Sequence, residues 1–263
     1  MGTLLEDLIT LVLEAVERDS FQLNTIVKGS HFTGTLLENG SCGLCHSASM
    51  SNPINSCEQV RMVKPPDKLD ITEVLHFAMS KEVNMKKFIG ISTLNAISQH
   101  ILKEKKENYH FLFGTHPIDH IKLSKTDNVV MIGYIRPIVQ KILQISKNFI
   151  AIDARLKNSD LPYLRSIETT REHLQKGDVV IITGSALAND SLETIIRSSE
   201  NARAIAVVGP TAGFLPEPLF DRGATIISGM QILEPRKVLD VIVAGGGTPH
   251  FKQYCEKYNI IQK

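Results

Sequence analysis

The sequence predicts an α/β protein: an α+β unit in the first half, then a doubly wound parallel sheet. Three observations carry this. Five short apolar runs (129–132, 149–152, 179–182, 204–208 and 225–227) lack polar alternation. Strands buried on both faces of a parallel sheet read this way. Helical patterns separate them, at 137–146, 163–175, 190–199, 216–221 and 235–244. Such alternation implies crossover connections and helices on both faces. Finally, each run stops at Gly, Ser, Thr or Asp, which places polar groups along one sheet edge. Ligands of such folds bind outside the carboxyl ends of the strands.

The strand ends define the candidate site. Gly133 closes the first run and Asp153 the second. Thr183, Gly184 and Ser185 close the third. Gly209, Pro210 and Thr211 follow the fourth, and Gly229 with its neighbours Ser228 and Met230 follows the fifth. Asp153 lies twenty positions after Gly133, where a dinucleotide fold keeps its ribose-binding acid. The first loop, Gly133-Tyr134-Ile135-Arg136-Pro137, has one glycine and not G-x-G-x-x-G. A standard NAD site is therefore not expected. Asp153 is either a ligand acceptor or a local group, and in the local case a helix cap or an ion pair with Arg155. Asn189, Asp190 and Ser191 exceed what capping one helix requires, and Asn189 joins the candidate set.

The first half is read in order. Leu4 to Val16, broken by acids, form an amphipathic helix over about 2–19, without the basic leader of a signal peptide. A strand follows near 24–28. Asn39-Gly40 then predicts a hairpin joining 31–38 to 41–47 through a type I′ turn. Cys42-Gly43-Leu44-Cys45-His46 matches the C-x-x-C-H string of haem attachment, and C-x-x-C also suggests zinc. Side chains alternate faces along a strand, so Cys42, Leu44 and His46 should face one way and Cys45 the other. The two thiols then cannot share one metal, and the expectation is buried structural cysteines. Cys57 and Cys255 are isolated and are read the same way.

A helix is expected over 71–80. Gly90 interrupts the next apolar run, and a second helix should follow it to Lys103, with Ser92 and Thr93 near its start as caps. Asn95 lies past that cap and has less local reason to exist. It could reach a cleft or bond to the hairpin. Composition changes over 111–128, which divides the chain into domains 1–112 and 113–263. His116, Asp119 and His120 form the densest potential metal-ligand set, but Pro117 argues against a regular helix there and an interdomain linker is the favoured reading.

Composition sets limits. The net charge is +1 without a long basic tract, so nucleic acid is not an expected partner. No apolar stretch is long enough to span a bilayer. A cytoplasmic protein with reduced cysteines is expected, and its size suits a homodimer.

Taken together these residues resemble a known family. Gly34-Thr35, Asn39-Gly40 and Gly43, with Ile89-Gly90-Ile91-Ser92-Thr93-Leu94-Asn95-Ala96, resemble the N-terminal domain of the "putative heavy-metal chelation" proteins. The second half is similar in Val130-Met131-Ile132-Gly133, Ile182-Thr183-Gly184-Ser185-Ala186-Leu187 with Asn189, Val208-Gly209-Pro210-Thr211, and Gly245-Gly246-Gly247. The resemblance covers nearly the whole chain. It implies an enolase-N-terminal-like domain, a Rossmann-like domain and a site in the cleft between them. Asp153 stands where the family often carries an acid. Asp190-Ser191 replace a frequent Gly-Thr, and Asp cannot take every glycine conformation.

The expected function is heavy-metal chelation, or binding of a metal ion, metal chelate or other small ligand in an interdomain cleft. Thr183, Ser185, Asn189 and Thr211 would supply hydrogen bonds, and Arg136 would pair with an anionic group. The segment 116–126 would act as a hinge for closure. The alternatives are an enzyme acting on a nucleotide-like or pterin-like compound in the same cleft, direct metal binding through the histidines, and a scaffold with a vestigial cleft.

Overall fold

The structure, a computed structural model, describes residues 2–47, 69–156 and 160–262. Cys57 lies outside the described residues. The chain opens with α1 (Leu4–Arg18). Thr3 caps it by accepting from the Glu6 N–H, and the Glu6 carboxylate accepts from the Thr3 N–H. This reciprocal pairing satisfies two free donors of the helix start. The strands β1 (Leu23–Lys28), β2 (Phe32–Leu37) and β3 (Cys42–His46) form an antiparallel sheet.

The β2–β3 turn differs from expectation. Gly40 has φ +85°, whereas Asn39 is not left-handed. The Gly40 N–H donates to the Leu37 carbonyl, and Asn39 Oδ1 accepts from the Ser41 N–H. This is a three-residue connection closed by one left-handed glycine. A type I′ turn would need both central residues left-handed.

A short helix, α2 (Ile71–His76), and a tight turn (Phe77–Met79) lead to α3 (Met85–Glu104). Here the expected boundary is corrected. The helix begins at Met85, capped by Asn84 Oδ1 accepting from the Lys87 N–H. It runs through Gly90 without a break, so Ser92, Thr93 and Asn95 are buried mid-helix residues and not caps. Gly90 is present for proximity: a Cβ there would lie 2.1 Å from the Ala78 nitrogen. Gly43 does the same for β3, where a Cβ would lie 2.2 Å from the Ala96 nitrogen. Two glycines therefore let α3 lie directly on the backbone of its neighbours.

The second half builds a seven-stranded sheet. Its elements are β4 (Phe111–Phe113), β5 (Asn128–Ile132), α4 (Arg136–Leu143), β6 (Asn148–Ile152), α5 (Thr170–Lys176), β7 (Val179–Thr183), α6 (Leu192–Ser198), β8 (Ala204–Val208), α7 (Glu217–Phe220), β9 (Ile226–Ile232), α8 (Pro235–Val243), α9 (Thr248–Phe251) and β10 (Cys255–Ile261). The spatial order is β4-β10-β9-β8-β7-β5-β6. β6, β5, β7, β8 and β9 are parallel, and β10 runs antiparallel to β9 and to β4. The parallel strands thus follow the flavodoxin-like order 2-1-3-4-5, with the topological switch point between β5 and β7.

Strand periodicity shows in the packing. Val180 and Ile182 join the core that contains α1, α3, α5 and α6, while Val179 and Ile181 join the core under α4. Both faces of the sheet are therefore covered. The halves share hydrophobic cores: α1 and α3 pack with Ile205, Val207 and Phe214, and Val27, Phe32, Cys42 and Leu44 pack with Val238, Leu239 and Ile242. The 112/113 boundary falls within β4, which is paired with β10. The segment expected to hinge buries Ile118 and Ile121 beneath α4. Among the described residues no helix is long and apolar enough to cross a membrane.

Gly90→Ala tests the contact between α3 and the turn before it. Alanine alone would favour the helix by about 1 kcal/mol. The new methyl must displace the backbone at Ala78, and overpacking of this kind costs about 1–3 kcal/mol. Thermal unfolding should show a net loss, because the clash involves backbone and not a movable side chain.

Candidate functional site

The switch point gathers the strand-end residues. Gly133 follows β5 with φ +84°, and a Cβ there would lie 2.6 Å from Thr183 Cγ2. Glycine is needed for both the conformation and the contact. Thr183 closes β7. Its hydroxyl lies 3.0 Å from that of Ser185 and accepts from the Ser185 N–H. Gly184 lets this loop pass the backbone of Ala212, which a Cβ would approach to 2.6 Å. Gly209, with φ +119°, turns the chain after β8 into Pro210 and Thr211.

Asp153, at the end of β6, is committed within the protein. Its Oδ2 accepts from the Tyr134 N–H at 2.8 Å and from Arg155 Nη2 at 2.6 Å. Its Oδ1 accepts from the Arg155 N–H at 2.9 Å and from Arg155 Nε at 3.0 Å. A carboxylate offers roughly four acceptor sites, so Asp153 is saturated. Burial pushes its carboxyl upward, but the Arg155 side chain and the two N–H groups outweigh this and hold it below the usual carboxylate range. The ion-pair reading of Asp153 is the one the structure realises. Its carboxylate is 4% exposed while the Arg155 side chain is 57% exposed, so Asp153 fixes a guanidinium that faces outward.

The hairpin reaches this edge through the end of β3. The His46 N–H donates to Thr211 Oγ1 at 2.9 Å. Asn95 Nδ2 donates to the carbonyls of Leu44, at 2.8 Å, and Thr211, at 2.9 Å. Asn95 is completely buried, so it bonds to the hairpin, as one of its two expected roles had it, and contacts no solvent. The His46 ring packs edge-on against Phe32, with centroids 5.1 Å apart. Burial, then the charges of Arg155 and His31, lower its pKa from 6.5 to about 4, against the pull of Asp153. His46 is therefore a neutral imidazole at neutral pH.

Other expected residues sit elsewhere or serve local roles. Gly229 is not at a strand end, because β9 continues to Ile232, and a Cβ there would lie 2.3 Å from the Tyr258 hydroxyl. Asn189 is exposed, and its Oδ1 accepts from the Ser191 N–H and hydroxyl in a local turn. Asp190 adopts φ +58°, the left-handed conformation usually left to glycine, and its carboxylate pairs with the buried Lys87 of α3. This pair lines a cavity of about 290 Å³ with Leu4, Leu5 and Met79. Lys87 is eight residues from Asn95 on α3, about 12 Å along the axis, so the cavity is separate from the switch point. Arg136 is exposed at the start of α4.

His116, Asp119 and His120 do not converge on one point. His116 caps the turn at Pro117, Asp119 pairs with Lys141, and His120 bonds to Thr115 Oγ1. Cys42 and Cys45 lie in different hydrophobic cores, as strand alternation requires, and burial raises both thiols well above the ordinary range. Among the described residues no group of three or more His, Cys, Asp or Glu side chains is placed to hold a metal.

Arg155, His46 and the Tyr134 amide were not among the candidates drawn from strand ends. Arg155 had a signal, since it stands two positions after a strand-end acid. His46 stood in the C-x-x-C-H string, which was set aside because its two cysteines face opposite ways.

Comparison with known proteins adds the following. Residues 116–261 match the model of the DUF364 family and residues 11–98 that of DUF4213, both described as "putative heavy-metal chelation". An uncharacterized protein of Methanocaldococcus jannaschii is 26% identical over 195 residues, covering 73% of this chain and 71% of that one. A crystal structure of a DUF364 protein of unknown function from Pyrococcus horikoshii superposes with a TM-score of 0.79 at 20% identity, covering 99% of this chain and 100% of the other. Another, from Desulfitobacterium hafniense, gives 0.73 at 16% identity, covering 98% and 99%. These two likenesses concern the fold.

The environment of His46 has a pH signature. Its folded pKa is lowered, so the unfolded chain binds the extra proton between pH 4 and pH 6.5. Stability from this group is complete above pH 6.5 and is lost as pH falls toward 4. Thermal midpoints should therefore rise with pH across that window, and His46→Gln should flatten the rise. The wild-type His46 imidazole should titrate near pH 4 by NMR.

Proposed function

We propose, from the premise that this chain belongs to the DUF364 family described as "putative heavy-metal chelation", that the switch point binds a heavy metal held in a small anionic chelate. The observation that carries this is the Asp153–Arg155 pair. A saturated buried carboxylate holds an outward guanidinium at the end of a parallel strand. A planar guanidinium with its fork fixed suits a carboxylate or phosphate. Arg136 adds positive charge at the start of α4. The hydroxyls of Thr183 and Ser185 offer hydrogen bonds, and the left-handed turn at Gly209, with open space where a Cβ would stand, offers close backbone approach.

The donor set fits a chelate better than a bare ion. A structural zinc-type site needs a closed shell of thiolate, imidazole or carboxylate ligands. The Cys42 and Cys45 thiols are buried and protonated, Cys255 is half-buried at the start of β10, and Asp153 has no acceptor site to spare. An organic chelator would bring most of the metal's ligands with it, and its carboxylates are what Arg155 can hold. The ligand is therefore a small molecule, and neither a nucleic acid nor a membrane enters the reading.

Isothermal titration with Ni(II)–citrate and Ni(II)–nitrilotriacetate tests this. Arg155→Met should weaken binding by about 10-fold to 100-fold, the worth of a charge-assisted hydrogen bond. Thr183→Val should cost less, about 5-fold. An Arg155→Met protein that binds as tightly as wild type, or wild type that takes neither chelate, would overturn the assignment.

A further inference from the structure

We propose that His46 is the residue that contacts the metal of the bound chelate, which makes the site selective for chelates with an open coordination position. This rests on the chelate-binding reading above and adds to it a ligand atom and a selection rule.

His46 ends the Cys42-Gly43-Leu44-Cys45-His46 run. Strand alternation and burial remove both cysteines from metal chemistry, and that leaves the imidazole. The ring belongs to the switch point. Arg155, Asp153 and His31 lie close enough to act on its charge. Its backbone is clamped to Thr211, and Asn95 fixes the strand from behind. Neither ring nitrogen has a hydrogen-bond partner among the described residues, and neither is among the buried polar atoms left without one. A packed structural histidine normally spends at least one nitrogen on a partner. Here a neutral imidazole keeps its lone pair, which is the state that ligates metals.

Charge supplies the selection. A bare divalent cation beside the exposed Arg155 guanidinium is repelled. A chelate with net negative charge is attracted by Arg155 and can still accept the imidazole, provided its metal has a free position. Imidazole suits Zn, Cu and Ni. A fully wrapped chelate would meet Arg155 but could not bond to His46.

The test compares two copper chelates on the intact protein at neutral pH. Cu(II)–nitrilotriacetate leaves the metal open to another ligand, whereas ethylenediaminetetraacetate wraps it. Wild type should bind the open chelate at least about 10-fold more tightly. Its pulsed EPR spectrum should show imidazole nitrogen modulation. His46→Gln should lose both the preference and the modulation while keeping the weaker binding common to both chelates. His31→Asn and His250→Asn, each at an exposed histidine, should keep them. Equal binding of both chelates by wild type, lost in Arg155→Met, would overturn the role of His46 and leave the chelate site standing. The same conclusion follows if imidazole modulation persists in His46→Gln. Binding of neither chelate would overturn both. If His46→Gln folds poorly, a wild-type spectrum without imidazole modulation still overturns the role of His46.

Discussion

The arrangement depends on one buried amide. Asn95 sits in the middle of α3 and donates to Leu44 of the hairpin and to Thr211 of the β8 loop. Both acceptors are main-chain carbonyls, and Asn95 itself is inaccessible to water. An unpaired buried carbonyl costs about 1–3 kcal/mol, so this single side chain holds two segments that have no strand pairing with each other. The missing side chains at Gly43 and Gly90 make it possible. They bring α3 close enough to β3 and to the turn at Ala78 for an amide to bridge the gap. Thr35 reinforces the same seam, with its hydroxyl 2.7 Å from that of Ser92 and 3.2 Å from that of Thr93.

From this seam follows the chemistry at the sheet edge. Once Leu44 and Thr211 are tied to α3, the His46 N–H meets Thr211 Oγ1 and the imidazole comes within electrostatic reach of Arg155. The hairpin thus completes an edge that the parallel sheet leaves open. The electrostatic division is clear. Asp153 is spent on fixing Arg155 and the Tyr134 amide, so the outward charge is positive. Burial and that positive charge keep His46 neutral. The proposed chelate binding rests on this division: a fixed cation, a neutral base and hydroxyls would favour an anion that carries a metal over a free metal cation.

Much of the fold was legible because its strands are buried on both faces. Residues 179–182 read as a strand from four consecutive apolar side chains, and they alternate between the two cores as that reading requires. Gly133, Thr183 and Thr211 were legible as residues of the sheet edge because strand ends are local in sequence. The illegible parts depend on contacts between distant segments. Gly90 looked like a break in an apolar run ahead of a helix, but it lies inside α3 and its role is contact with Ala78. β10 begins with Cys255, Glu256 and Lys257, half-buried or exposed beyond the parallel strands, and so lacks an apolar signature at its start. β4 is too short for any pattern. Gly229 was misplaced because β9 extends past the end of β8 to pair with β10. His46 was visible in the C-x-x-C-H string, but its place at the sheet edge follows only from the docked hairpin. Asp190 shows the converse case, in which an acid takes a glycine conformation and a buried lysine holds its carboxylate.

Native-state hydrogen exchange in Asn95→Leu tests the central claim most directly. The substitution keeps the bulk at position 95 and removes the amide. The account predicts that the His46 amide exchanges much faster, by more than the loss of global stability explains, while the amides of Val180 and Ile181 in β7 slow or quicken only with global unfolding. If His46 keeps its protection relative to β7, the hairpin is held to the sheet edge by something other than Asn95, and the account fails at its root.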